Sequence, residues 1–389
     1  MLKSAGIVIL IISFTLNVLA QNKGIITGAE QPEKYLHLLK DRNVGMVVNH
    51  TSQLKGEHLV DFLIGENIRV KKIFAPEHGF RGDVSDGVKI EDGADIKTGI
   101  PVISLYGKTR KPTKDHLSDL DVVVFDIQDV GCRFYTYIST MHLVMEACAE
   151  NNIPVVILDR PNPNGDYFAG PVLKPEFKSF VGMHPIPVVH GLTIGELAKM
   201  INGEKWLEND LECNLKVIKV KNYTHSIKYE LPVKPSPNLP NQLSVRLYPS
   251  LCFFEATSVS IGRGTDFPFQ VIGGLKPDLG NFQFTPVSLP GVSVNPPNKD
   301  KLCYGVDLRE LKEVPKFTLS YFLNFYSKYQ DESDFLIREQ WLNKLAGTDD
   351  LIQQIREGKS EKEIFQSWQP ELEKYKTLRE KYLLYPDFE

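Results

Sequence analysis

The sequence predicts an α/β fold, a Rossmann-like doubly wound parallel sheet carrying a smaller α+β auxiliary domain. Three observations predict it. Short β-branched runs without polar alternation recur, as strands buried on both faces require. Helical patterns separate them at the spacing of βαβ units. Four of the runs end in a polar cluster: Val44-Gly-Met-Val-Val48 runs into Asn49-His50-Thr51-Ser52, Val70–Ala75 into Pro76-Glu77-His78-Gly79, Asp121–Phe125 into Asp126-Ile127-Gln128-Asp129, and Pro154–Leu158 into Asp159-Arg160-Pro161-Asn162. Open parallel sheets bind ligands beyond the carboxyl ends of their strands, so the repeated use of that edge predicts a site there.

In chain order, Lys3 followed by the apolar Ile7–Leu19 and by Val18-Leu19-Ala20 reads as a secretory leader over residues 1–20, cut before Gln21. The apolar stretch is shorter than the roughly 20 residues of a membrane span. The expected product is exported, periplasmic or secreted, with no stable span after cleavage. Gln31–Asp41 predicts a helix, then the strand at Val44; His58–Gly65 a helix, then the strand at Val70. Gly- and Asp-rich loops fill 79–99, and Pro101–Leu105 is a short strand before the one at Asp121. Thr140–Asn151 is helical, with Met141, Val144, Met145 and Cys148 on one face. The strand at Pro154 follows, then a candidate strand Ile186–Val189. Thr193-Ile-Gly-Glu196 is a capping box opening a helix to Ile201, and Leu215–Val220 is a further strand.

Near Leu231 the pattern changes. Pro232, Pro235, Pro237 and Pro240 fall close together and mark a domain boundary. The expected division is a Rossmann-like catalytic domain over 21–235 and an auxiliary α+β domain over 236–389, with a cleft between them. Helices are expected over Phe317–Tyr329, Glu361–Trp368 and Glu371–Tyr382, the last two separated by Pro370.

Composition excludes some classes. Apolar content of 42%, charged content of 24% and a net charge of -4 with no basic block argue against nucleic acid as partner. The first βα turn lacks the glycine pattern that admits a pyrophosphate, and no nucleophile elbow or zinc spacing occurs. No cofactor and no metal are expected. Five widely spaced cysteines allow at most one disulfide.

The chemistry concentrates in three segments. In Phe74-Ala-Pro-Glu-His-Gly-Phe-Arg-Gly82, Pro76 ends the strand and the glycines allow a tight loop that holds Glu77 and His78 at the sheet edge. The residues leave two readings open: Glu77 as a general acid, or a Glu paired with Arg81 to fix the loop. In Asp126–Tyr137, Asp126, Asp129, Arg133, Tyr135 and Tyr137 resemble a sugar site, although Asp129 and Arg133 are also spaced to pair across a helical turn. In Asp159–Gly165, Arg160 is placed to clamp a carboxylate, and Asn162 serves either substrate or turn. Asn49, His50, His184, His190 and Arg263 complete the candidates.

Together, Asn49-His-Thr-Ser, Phe74–Gly82, Phe125–Gly131, Asp159–Gly165, Gly191-Leu-Thr-Ile-Gly-Glu196 and Gly262-Arg-Gly-Thr-Asp266 resemble the bacterial exo-β-N-acetylmuramidases of the NamZ type, from about Gly24 to the C-terminus. The resemblance implies a Rossmann-like domain plus auxiliary domain with the site between them. It implies release of terminal β-1,4-linked N-acetylmuramic acid (MurNAc) from the non-reducing ends of peptidoglycan fragments, with muropeptides and MurNAc-GlcNAc as partners. The family's catalytic Glu maps onto Glu77. On this reading Asp126 activates water or orients the substrate acetamido group, and Arg160, ahead of Arg133 and Arg263, binds the lactyl carboxylate. The rivals are an exported sugar-binding protein without catalytic power, and a cell-wall amidase or deacetylase, which would need a metal.

Overall fold

The computed structural model describes residues 24–80 and 92–388. The leader expected over 1–20 lies outside the described residues. Seven strands build the main sheet: β1 (Asn43–Val48), β2 (Arg69–Ala75), β3 (Gly93–Ala94), β4 (Pro101–Ser104), β5 (Val122–Asp126), β6 (Val155–Leu158) and β7 (Leu215–Ile218). Their order is β3-β4-β2-β1-β5-β6-β7. Every pairing is parallel except that of the two-residue β3 with β4. The chain builds outward from β1 to β2 and β4, then returns to the other side of β1 with β5. The topological switch therefore lies between β1 and β5, where Asn49 and Asp126 sit.

The unalternating strands are buried on both faces, as their composition requires. Val123 and Phe125 face one core with Val47, Phe74 and Ile157. Val122 and Val124 face the other with Met46, Ile73 and Leu158. Helix α1 (Leu59–Gly65), capped by the His58 ring, covers the second face. Helices α2 (Tyr137–Glu150) and α3 (Ile194–Gly203) cover the first. The Thr193–Glu196 capping box forms as expected.

The auxiliary part holds α4 (Gln242–Leu251), α5 (Ser320–Ser327), α6 (Glu339–Ala346), α7 (Asp350–Arg356) and α8 (Glu361–Glu380). It also holds an antiparallel sheet of β8 (Val271–Gly274), β9 (Phe282–Phe284) and β10 (Cys303–Asp307), with β10 central. Phe253, Phe254, Phe322, Phe335 and Leu342 belong to the same buried cluster as the first sheet face. The two parts thus share one continuous core. All five cysteines are buried free thiols.

Three expectations change. Gln31–Asp41 forms only a 3-10 turn, Pro32–Lys34, and one α-turn, Leu36–Leu39. Ile186–Val189 is not a strand; Val189 makes single bridges to Cys132 and Ala169. Helix α8 runs unbroken through Pro370. The missing N–H and the ring clash disfavour this by about 3 kcal/mol, but the stripe Ile364, Trp368, Leu372 and Tyr375 buries on both sides of the proline. Packing of that stripe outweighs the defect. Pro370 itself is exposed, so Pro370→Ala should raise stability by about 1–3 kcal/mol, read as a higher urea midpoint. A lowered midpoint would show that the ring contributes contacts of its own.

Candidate active site

Strand β2 ends at Ala75, and the chain reverses at once. His78 (φ 70°) and Gly79 (φ 77°) occupy the left-handed region, and the Gly79 N–H donates to the Pro76 carbonyl at 3.1 Å. Left-handed backbone at His is uncommon and marks a turn fixed by its surroundings. That turn leaves Glu77 half-buried beyond the strand end. Thr136, the N-cap residue of α2, donates its hydroxyl to Glu77 Oε2 at 2.9 Å, and the Tyr137 hydroxyl lies 3.4 Å from the Glu77 carbonyl. Burial, and then the charge of Glu77, raise the Tyr137 phenol above its usual range, so it remains a donor.

Glu77 and Thr136 line a cavity of about 420 Å³. Its other walls come from Tyr106 and Arg110 after β4, from Phe134, and from Ser179–Val181. The auxiliary part closes it with Tyr248 on α4, Cys252 and Glu255 in the 3-10 turn Cys252–Ala256, Arg263, and Trp341, Lys344 and Leu345 at α6. Arg263 projects from a turn in which Gly262 and Gly264 both have φ of 80°. Its Nη2 lies 2.6 Å from Glu255 Oε1. Two carboxyls thus meet one cavity, Glu77 with the Thr136 hydroxyl among its contacts and Glu255 with the Arg263 guanidinium. Tyr106, Phe134, Phe180, Tyr248 and Trp341 add aromatic rings to the lining.

The match to known proteins is decisive for the family. Residues 44–243 fit the profile "Exo-beta-N-acetylmuramidase NamZ, N-terminal", and residues 246–385 its C-terminal counterpart. The chain belongs to the NamZ exo-β-N-acetylmuramidase family. It is 40% identical over 374 residues to the peptidoglycan β-N-acetylmuramidase NamZ of Bacillus subtilis (strain 168), covering 90% of this chain and 89% of that one. Two solved structures of DUF1343 family proteins from Bacteroides fragilis NCTC 9343 share the fold. One has a TM-score of 0.86 at 45% identity and covers 94% of this chain and 100% of its own; the other has 0.81 at 30%, covering 93% and 99%.

Within this NamZ family member, the cavity unites Glu77 and Arg263 among the residues expected from sequence. Arg81 lies outside the described residues. Several other candidates support the sheet edge instead. Asp126 and Arg160 satisfy each other: Nε to Oδ1 at 2.5 Å and Nη2 to Oδ2 at 2.8 Å, with Arg160 also donating to the Gln53 carbonyl. Burial opposes the Arg160 charge, and Asp126 more than offsets it. The fork expected for a lactyl carboxylate is thereby filled, and Asp126, wholly buried, lines no part of the cavity. Arg133 is also fully buried and donates to four carbonyls, those of Pro171, Ile186, Leu345 and Ala346. It ties the two parts together rather than meeting substrate.

The remaining candidates make local contacts at the sheet edge, while His50 Nδ1, Asp129 Oδ1 and His190 Nε2 stay buried without a hydrogen-bond partner among the described residues. Asn49 Oδ1 accepts from the Thr51 N–H (2.9 Å) and hydroxyl (2.6 Å). Asp129 Oδ2 accepts from the Gly131 N–H at 2.7 Å, with His190 Nε2 3.6 Å away. The Asn162 amide donates to Leu192 O and accepts from Asn164 N–H, both at 2.8 Å. A Cβ at Gly131 (φ 77°) would fall 2.2 Å from Asn162 Oδ1, which explains the glycine. Tyr135 donates to Pro235 O at 2.9 Å. His184 meets His142 at 3.1 Å, and burial lowers its pKa well below the usual value. His50 bonds Lys234 O at 2.8 Å; burial, and the nearby His78, lower its pKa. Sequence reasoning missed Tyr106, Arg110, Thr136, Phe180, Glu255, Trp341 and Lys344. Only Thr136 lay inside a motif already singled out.

Proposed function

We propose that this chain releases terminal β-linked MurNAc from the non-reducing ends of peptidoglycan fragments, MurNAc-GlcNAc among them. The observation that carries the proposal is the cavity in which Glu77, held by Thr136, faces the same space as Glu255 and a set of aromatic rings. Glycoside hydrolysis needs a carboxylic acid that protonates the departing oxygen and a second group that meets the positive charge growing at the anomeric carbon. Glu77 is assigned the first role. The second passes from Asp126, buried against Arg160, to Glu255. As the C1–O bond breaks, the Glu77 proton moves to the leaving sugar's oxygen and Glu255 stabilises the oxocarbenium-like centre. Water supplies the hydroxyl of the released MurNAc, and the proton that the water gives up returns to Glu77 and restores the acid. The leader-like N-terminus supports an exported enzyme acting where peptidoglycan lies.

The test is incubation of the purified protein with MurNAc-GlcNAc and, separately, with the reversed disaccharide GlcNAc-MurNAc. Free MurNAc should appear from the first, and the second should stay intact by mass spectrometry. Equal cleavage of both would rule out recognition of the lactyl-bearing sugar.

A further inference from the structure

We propose that Arg110, seated on Phe180, is the residue that reads the lactyl carboxylate of the terminal sugar and so sets selectivity for MurNAc over GlcNAc; the proposal rests on the function assigned above. The two sugars differ only by the lactyl ether at O3, and its carboxylate is the one full charge on the terminal residue. Discrimination therefore needs a cation in the cavity whose donors are open to an anion.

The charge inventory of the cavity narrows the choice. Its described lining carries three cations, Arg110, Arg263 and Lys344, against two carboxyls, Glu77 and Glu255. Three minus two leaves an excess of one positive charge, in a protein whose net charge is -4. Such a focus of opposite sign draws an anionic substrate to this mouth. Arg263 is matched by Glu255 at 2.6 Å. Among the described residues, both terminal nitrogens of Arg133 are held by backbone carbonyls, and Arg160 Nε and Nη2 are held by Asp126.

Arg110 differs from all three. Its Cζ sits 4.3 Å from the Phe180 ring centroid, and among the described residues it makes no hydrogen bond or ion pair. The ring contact positions the guanidinium without engaging an N–H on any oxygen. A planar fork held in place with its donors open is preorganised for bidentate binding of a carboxylate. Lys344 is exposed on α6 and, among the described residues, stacks on no ring. It offers a hydrated point charge on a flexible stem, which suits long-range attraction better than recognition.

The experiment measures kcat and KM separately for the wild type, Arg110→Ala, Arg110→Lys and Lys344→Ala. The substrates are 4-nitrophenyl β-MurNAc and the same compound with its lactyl carboxyl as methyl ester. A charge-assisted contact predicts that Arg110→Ala raises KM for the free acid about tenfold to a hundredfold with kcat little changed, and leaves the ester near wild type. Arg110→Lys should recover part of the loss, and Lys344→Ala, which removes a flexible charge of the same cavity, should raise KM for the free acid less than Arg110→Ala does. Arg110 is exposed, so circular dichroism and melting should match the wild type. An Arg110→Ala enzyme that keeps the wild-type preference for acid over ester, or loses both substrates equally, overturns the assignment while the glycosidase reading stands. A wild type that leaves the muramide untouched overturns that reading, and this one with it.

Discussion

Glu77→Gln should lower turnover of MurNAc-GlcNAc by about 10²–10⁴-fold, the contribution of a positioned proton donor. Glutamine retains the shape of the side chain, and its amide oxygen can still accept the Thr136 hydroxyl that reaches Glu77 Oε2 at 2.9 Å. What it loses is a transferable proton. KM and melting temperature should therefore stay close to wild type. A 4-nitrophenyl muramide should show a smaller defect, because nitrophenolate departs without protonation. That contrast separates an acid from a merely structural glutamate. Near-wild-type turnover of the disaccharide by the variant would remove Glu77 from the acid role.

The fold was legible because both-face burial leaves a direct trace in the sequence. Val122–Phe125 and Val155–Leu158 contain no polar residue, and the structure buries all of them in the middle of the parallel sheet. Pro370 misled because a local rule about proline says nothing of the buried stripe on either side of it. Within the cavity, Glu77 was legible for a related reason. Glu77 follows a strand directly and is held by a turn encoded within two residues, so its position is local information. Asp126 and Arg160 follow strands just as directly, yet they face each other 34 residues apart and seal the switch point. Residue type and position at a strand end are the same for a substrate clamp and a buried ion pair, and only the partner decides. Glu255, Trp341 and Lys344 lie outside any motif. They reach Glu77 through the packing of Phe254, Phe322 and Leu342 into the shared core, information distributed over the whole auxiliary part.

Asp126→Ala should destabilise the protein by about 3–5 kcal/mol, because it leaves the buried Arg160 guanidinium without its counter-charge. The surroundings offer little relief: besides Asp126, the guanidinium donates to the Gln53 carbonyl at 3.1 Å. Urea unfolding measures the loss directly. Molecules that remain folded should keep a kcat within a few fold of wild type, since Asp126 lines no part of the cavity around Glu77. Removing both charges tests the cause. Asp126→Leu combined with Arg160→Met replaces the pair with apolar groups of similar bulk, and such replacements are often neutral or stabilising. The double variant should therefore recover most of the stability lost by Asp126→Ala. A variant Asp126→Ala that unfolds at the wild-type urea concentration yet turns over a hundredfold more slowly would reverse the assignment, returning Asp126 to the chemistry and Arg160 to its orientation.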